Sequence, residues 1–391
     1  MREVRPLRAY AEVALGRQRS PTHDQGPNMV PYLRAANVKD GRLDLVDVNE
    51  MNFSPSEQIT FALRPGDVLV SEGSGSLGSV GASAVWSQEI KGCVCFQNTL
   101  LRLRPRLDTD SRFLAWWCRY AFADGVFASI ATGANIFHLS AERVKDIPTL
   151  SMPLDRQRAI ADYLDSETAR IDGLIGKKRR LLDLMLERRK EFCRQLILGS
   201  FNPISGQGAV PSQWRIANLG VAITLQRGHD LPLNDRIDGP VPVVSSGGTS
   251  GWHNVSVCTP PGVVTGRYGT IGEVFFIDRP YWPLNTTLYV TDFRGNDSRW
   301  TYRLLQSLPL DFDAEKSAVT GINRNVIGGL RVPLPPIAEQ RRIAGVIDNV
   351  DSVIEKTRSR LAVQLALLNE RRQTLITAAV TGQLDIPGLA A

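Results

Sequence analysis

The sequence predicts a mixed α+β chain in which two similar, β-rich globular domains are separated by two long antiparallel coiled-coil helices, related by an internal pseudo-twofold repeat. Three observations predict it. The segment from Pro153 to Gly199 recurs from Pro336 to Gly382 at a constant offset of 183 residues, with no gap. Both copies carry a heptad-like apolar pattern. The stretches that precede them share length, short strand-like runs and glycine punctuation.

The boundaries follow in chain order: a first globular domain over 1–152, a helix over 153–199, a second globular domain over 200–335, a second helix over 336–382, and a tail over 383–391. Across the repeat, Gln157, Arg158, Ile160, Ala161, Asp165, Ile171, Leu182, Leu184, Glu187, Arg188 and Arg189 find identical residues at Gln340, Arg341, Ile343, Ala344, Asp348, Ile354, Leu365, Leu367, Glu370, Arg371 and Arg372. Neither copy has an interior proline beyond its first residues, and both are rich in strong helix formers. Each starts at a proline and ends at a glycine suited to a left-handed cap.

In the first copy one set of heptad positions holds Leu164, Ile171, Met185 and Phe192, interrupted by Lys178, and the other holds Ile175, Leu182 and Leu196. In the second copy the corresponding sets are Ile347, Ile354, Leu361, Leu368 and Leu375, with Leu365 and Ala379. A helix of roughly 40 residues is about 60 Å long, so its apolar stripe needs a cover. The other copy is the obvious one. A whole domain lies between the two helices in sequence, so an antiparallel pair is the simplest packing.

In the globular stretches, Asp67–Val70 runs into Ser71-Glu-Gly-Ser-Gly-Ser-Leu-Gly78, and Gly262–Thr265 runs into Gly266-Arg-Tyr-Gly-Thr-Ile-Gly272. Asn98-Thr99 answers Asn285-Thr286, and Thr132-Gly133-Ala134-Asn135 answers Thr320-Gly321-Ile322-Asn323. The offset drifts from one pair to the next, as expected for a duplicated scaffold whose loops have diverged.

With 391 residues, 43% of them hydrophobic, the chain can bury two cores, and a formal charge of +6 permits a polyanionic partner. Much positive charge sits at Lys177–Arg180 and Arg188–Lys190, where a solvated helix face accounts for it. Five cysteines without a C-x-x-C pair indicate neither a disulfide framework nor a zinc site. The start lacks an apolar signal core and no run of about 18 apolar residues exists, so a cytoplasmic protein with no membrane association is expected.

Catalytic motifs fail on context. Gly73-Ser-Gly-Ser-Leu-Gly78 fits G-x-G-x-x-G, but Ser79–Val85 has β texture where a dinucleotide site needs a helix. A tight turn is the better reading. Asp67 with Glu89-Ile90-Lys91 imitates a metal-dependent nuclease arrangement but has no counterpart in the second half. His23, His138, His229 and His253 are isolated, and no G-x-S-x-G, P-loop or amine-methylation motif occurs. The chain is expected to perform no catalysis and to hold no metal or cofactor.

Pro336-Ile-Ala-Glu-Gln-Arg-Arg-Ile-Ala344, Ala379-Val-Thr-Gly-Gln-Leu-Asp-Ile386 and Leu63-Arg-Pro-Gly-Asp-Val-Leu-Val70 together resemble the specificity (S) subunits of type I restriction-modification systems. The similarity spans essentially the whole chain. The first helix start departs from the usual pattern, with Arg156 where Glu339 stands in the second. The resemblance implies that each globular domain is an α/β target recognition domain reading one half of a split, asymmetric double-stranded DNA site. It implies helices that set the spacing and dock two methyltransferase (modification) subunits, which bring S-adenosylmethionine and flip the target adenine. Two restriction subunits, with ATP and Mg²⁺, are further implied partners in antiviral defence. On a fixed spacer the half-sites would lie about 34 Å, or about 10 bp, apart.

Readout needs polar side chains at base edges. Polar residues in glycine-flanked or corresponding loops give the candidates Arg17, Arg19, Arg34, Ser74, Ser76, Asn98, Thr132 and Asn135 in the first domain. In the second they are Arg227, His229, Ser245, Ser246, Arg267, Tyr268, Asn285, Asn323 and Arg324. Asn98 and Asn285 recur in domains that should read different bases, which favours a scaffold role. Arg267 and Tyr268 replace Gly73 and Ser74 in the corresponding turn, which favours readout. The competing readings are a reader in another defence or regulatory complex without restriction, a coiled-coil adaptor that binds only proteins, and a nuclease.

Overall fold

The computed structural model describes residues 3–312 and 321–386. Thr320 and the last five residues of the tail lie outside them. The chain divides into two compact units, residues 1–178 with 363–391, and residues 179–362.

In the first unit an antiparallel sheet of β1 (Ala11–Leu15), β2 (Val68–Ser71), β3 (Ser83–Val85) and β4 (Leu100–Pro105) has the order β1-β4-β2-β3. Its central strands are covered on both faces, so they are apolar at successive positions instead of alternating. Val68, Val70, Leu101 and Leu103 enter one core with helix α1 (Ser111–Ala123). Leu69 and Leu100 point the other way, into a core with Leu33, Trp86 and Phe96. Asp110 caps α1 by accepting from the Arg112 and Phe113 amides. A three-stranded sheet places Met29–Leu33 between Cys95–Phe96, which runs parallel to it, and Asn49–Asn52, which runs antiparallel. Val4–Pro6 pairs with Pro148–Leu150.

The second unit repeats this plan. Its four-stranded sheet of β5 (Thr224–Arg227), β6 (Gly262–Gly266), β7 (Val274–Ile277) and β8 (Thr287–Asp292) has the order β5-β8-β6-β7. Val241–Ser245 lies between a parallel Trp282–Pro283 and an antiparallel Gly248–His253, and Arg215–Asn218 pairs with Arg331–Leu334.

The long helices are α2, Leu154–Leu198, and, after α3 (Ser298–Ser307), α4, Ile337–Val380. Gly199 and Gly382 end them in the left-handed region, at φ +59° and +69°. The residues repeated between the copies fasten each helix start to the domain before it. Buried Gln157 accepts from the Asp110 amide at 3.0 Å and donates to the carbonyls of Met152 and Asp108. Buried Gln340 accepts from the Asp297 amide at 2.9 Å and donates to Pro335 O and Asn296 Oδ1. Asp165 accepts from Trp116 Nε1 and Arg112, and Asp348 from Arg299 and Arg303.

Within each unit the two helix segments run antiparallel. In the first, Asp172 meets Arg372, Lys178 donates to Gln364, and Ile160, Ala161 and Leu164 share a core with Ile376, Ala379 and Val380. In the second, Arg189 makes a two-point contact to Asp351 at 2.7 and 2.8 Å, and Cys193, Ile197 and Leu198 pack with Ile343, Ala344 and Ile347.

The heptad assignment requires a correction at the end of α2. Phe192 is 40% exposed, and Cys193 and Ile197 are buried where Phe192 and Leu196 were expected. An α-helix drifts about 20° per heptad against a strict seven-residue repeat, and these last turns also pack on the domain core.

Candidate nucleic-acid interface

In the first domain, Gly73–Ser74 pairs antiparallel with Phe137–His138. Thr132 exchanges both backbone hydrogen bonds with His138, at 3.0 and 2.8 Å. The glycine-rich loop after Ser74 and the loop from Thr132 to Phe137 are thereby fixed side by side. They bring together Ser74, Ser76, Thr132 and Asn135, with exposed Leu77 and Ile136. Ser74 Oγ accepts from the Ser76 amide, which shapes the turn.

The three first-domain arginines have different fates. Arg19 is exposed and reaches Asp24 only at 3.4 Å. Arg34 is partly buried and paired with Asp47. Arg17 is 9% exposed, which corrects its assignment to readout. Its Nε donates to Glu57 at 2.7 Å, its Nη1 to the Asn52 carbonyl at 2.7 Å, and its guanidinium lies over the Phe53 ring. Burial opposes ionisation of Glu57, but donors from Ser54 together with Arg17 hold its carboxyl below the ordinary value.

In the second domain the Arg267 and Tyr268 amides donate to Thr286 O, and the Ile322 amide donates to Arg267 O at 2.9 Å. The Arg267 guanidinium stacks on the Tyr268 ring at 4.4 Å. Ser246 lies against the same turn, since a Cβ on Gly266 would fall 3.1 Å from Ser246 and only 1.9 Å from Thr270 O. Glycine is therefore required at 266. Ser245 Oγ donates to Gly248 O. Asn285 donates to Asp230, which Arg227 approaches at 3.8 Å. His229 is half-buried against Trp282 and Tyr289, with its Nε2 3.1 Å from the Tyr289 hydroxyl. Asn323 accepts from the Asn325 amide and caps the short helix Arg324–Gly328, whose first residue, Arg324, is exposed.

Backbone pairing also corrects the sequence alignment of the two domains. Glu72 donates its amide to Thr99 O, and its carbonyl accepts from Leu139; Arg267 makes the same two bonds with Thr286 and Ile322. Arg267 is thus equivalent to Glu72, Tyr268 to Gly73, and Gly321 to His138. Asn323 is equivalent to the helix-capping position Ser140, not to Asn135. Asn98 and Asn285 do correspond, their amides donating to Arg17 O and His229 O at 3.0 Å each, which makes Arg17 the counterpart of His229. Glu72 and His138, which the sequence did not single out as a pair, meet beside these loops: His138 Nδ1 donates to both Glu72 carboxylate oxygens at 3.1 Å. No motif joins two residues so far apart in sequence.

Gly78 leads to the strand Ser83–Val85 without a helix at which a pyrophosphate could sit. Asp67 is 1% exposed and clamped by Arg104 through two bonds of 2.7 Å. Among the described residues no three His, Cys, Asp or Glu side chains are grouped to hold a metal, and no helix is long and apolar enough to cross a membrane.

A duplicated α/β scaffold with variable polar loops and two long helices is the class of protein these features define. Residues 258–364 match the family described as Type I restriction modification DNA specificity domain. The chain is 24% identical over 197 residues to the StySPI type I specificity subunit of Salmonella potsdam, covering 50% of this chain and 41% of that one. It spans about two fifths of the length of the enterobacterial specificity subunits it matches. A structure concerning complex assembly and conformational transition of the type I R-M system superimposes with a TM-score of 0.72 at 18% identity, covering 98% of both chains. The HsdS subunit from Thermoanaerobacter tengcongensis gives 0.53 at 17%, covering 98% of this chain and 97% of that one. The chain is thus similar to type I restriction-modification specificity subunits over part of its sequence, and to solved structures of such systems in its fold.

Proposed function

We propose that this chain is the non-catalytic, sequence-specific DNA-recognition subunit of a type I restriction-modification complex. Residues 1–152 and 200–335 are the two recognition domains, each reading one half of a split, asymmetric duplex site. The helices set the spacing and dock two methyltransferase subunits, and two restriction subunits complete the assembly. S-adenosylmethionine and ATP with Mg²⁺ belong to those partners.

The observation that carries this reading is one scaffold built twice with unlike side chains at equivalent loop positions, Glu72 against Arg267 and Gly73 against Tyr268. An adaptor that bound only proteins would give no reason for that divergence on a common frame. Exposed Leu174, Leu181, Leu184, Val353, Val363 and Leu367 along the helices support docking of protein partners.

The test is to map methylated bases in the source genome with this gene intact and deleted. Loss of adenine methylation at one split motif is expected. If deletion of the expressed gene left every methylated motif unchanged, methyltransferase targeting would be wrong.

A further inference from the structure

One antiparallel contact is built in both domains with its parts exchanged. In the first, Gly73 faces His138, and a Cβ on Gly73 would lie 3.2 Å from His138 Nδ1. The imidazole rests over a bare glycine. In the second, Tyr268 faces Gly321, and a Cβ on Gly321 would fall 2.2 and 2.5 Å from carbons of the Tyr268 ring. The paired positions are equivalent, so glycine and ring have changed strands while one ring is kept at each site.

The residue beside the contact differs in charge at a fixed backbone position. Glu72 accepts from the His138 ring, and Arg267 stacks on the Tyr268 ring. Both first-domain side chains reach solvent, Glu72 with 18% and His138 with 52% of the side chain exposed. A carboxylate can only accept hydrogen bonds and a guanidinium can only donate them, so the two sites cannot make the same contact to a base edge. Beside phosphates a carboxylate is also repelled unless an amino donor faces it.

We infer that Glu72–His138 and Arg267–Tyr268 are the equivalent specificity dyads of the two domains. Glu72 accepts from an exocyclic amino group, cytosine N4 or adenine N6, and Arg267 donates to guanine O6 and N7. The inference rests on the proposal that both domains read DNA.

The experiment selects binding sites from randomised duplexes with the assembled specificity–methyltransferase complex, comparing wild type, Glu72→Gln and Glu72→Arg. The Gln variant is expected to lose roughly 5- to 150-fold discrimination at one base pair of one half-site, leaving the other half-site and the spacing intact. The base preferred there by wild type, cytosine or adenine, identifies the amino group. The Arg variant is expected to move that position towards guanine, a gain that misfolding cannot produce. Uniform weakening with unchanged preferences, or loss of the whole half-site in both variants, overturns the assignment. A wild-type complex that selects no split site overturns the underlying function itself, and the wild-type arm shows this separately.

Discussion

Arg17 and Arg267 carry the same side chain and serve different ends. Arg17 is closed in by Glu57, Asn52 and Phe53, and its charge stabilises the fold. Arg267 lies on a turn whose backbone is fully committed to Thr286 and Ile322, and its partly buried guanidinium stacks on the Tyr268 ring. Sequence shows an arginine near a glycine in both cases, and nothing local distinguishes them, because the partners of Arg17 are folded over it from 35 residues and more away. For Arg267→Ala in the assembled complex we expect discrimination at one base pair to fall by about 1–3 kcal/mol. Uniform weakening across sequences with a smaller salt slope would make it a phosphate contact instead.

The long helices were the most legible elements, since proline, heptad and glycine signals all lie within the segment. Why Gln157 and Gln340 recur was not legible, because the partners that tie them to the domain, Asp108 and Asp110 for one and Asn296 and Asp297 for the other, lie more than 40 residues upstream. The charged contacts between helix segments were equally hidden. In the second unit Asp351 takes hydrogen bonds from Arg189 at 2.7 and 2.8 Å and pairs with Arg303, itself buried. Burial pushes its carboxyl up, but the two arginines outweigh this and hold it below the ordinary value. A lowered folded-state value means stability that is fully present above the unfolded value of about 4 and lost as pH falls through the folded one. Asp351→Asn should therefore lower stability at neutral pH by about 1–3 kcal/mol, since Arg303 is left short of a partner. Its unfolding midpoint should also vary less with pH below about 4 than that of the wild type. A wild-type pH profile in the variant would remove Asp351 from the acid response.

At the scale of the whole molecule, duplication was legible from the constant offset of the helices, and the equivalence of the domains only in part. Glycine-rich loops of unequal length displaced the sequence pairing by one residue at Arg267 and by five at Asn323, and only the ladder bonds restored the register. If the helices set the distance between half-sites, one extra heptad in each should lengthen the spacer by about 10 Å, or about 3 bp, without altering either half-site. Sites selected by such a variant check this directly, and altered half-sites would refute the spacing role.

The exchanged glycine and ring also bear on how such a chain can change. Grafting the loop of Gly73 against that of Gly321 would bring two glycines together and leave the site without a ring. Grafting the loop of Tyr268 against that of His138 would put two rings into the room of one. Neither hybrid keeps one ring at the contact, so if these loops read DNA the two are expected to be inherited together. An exchange that carried both facing loops, or the whole domain between the repeated helices, would keep that contact intact.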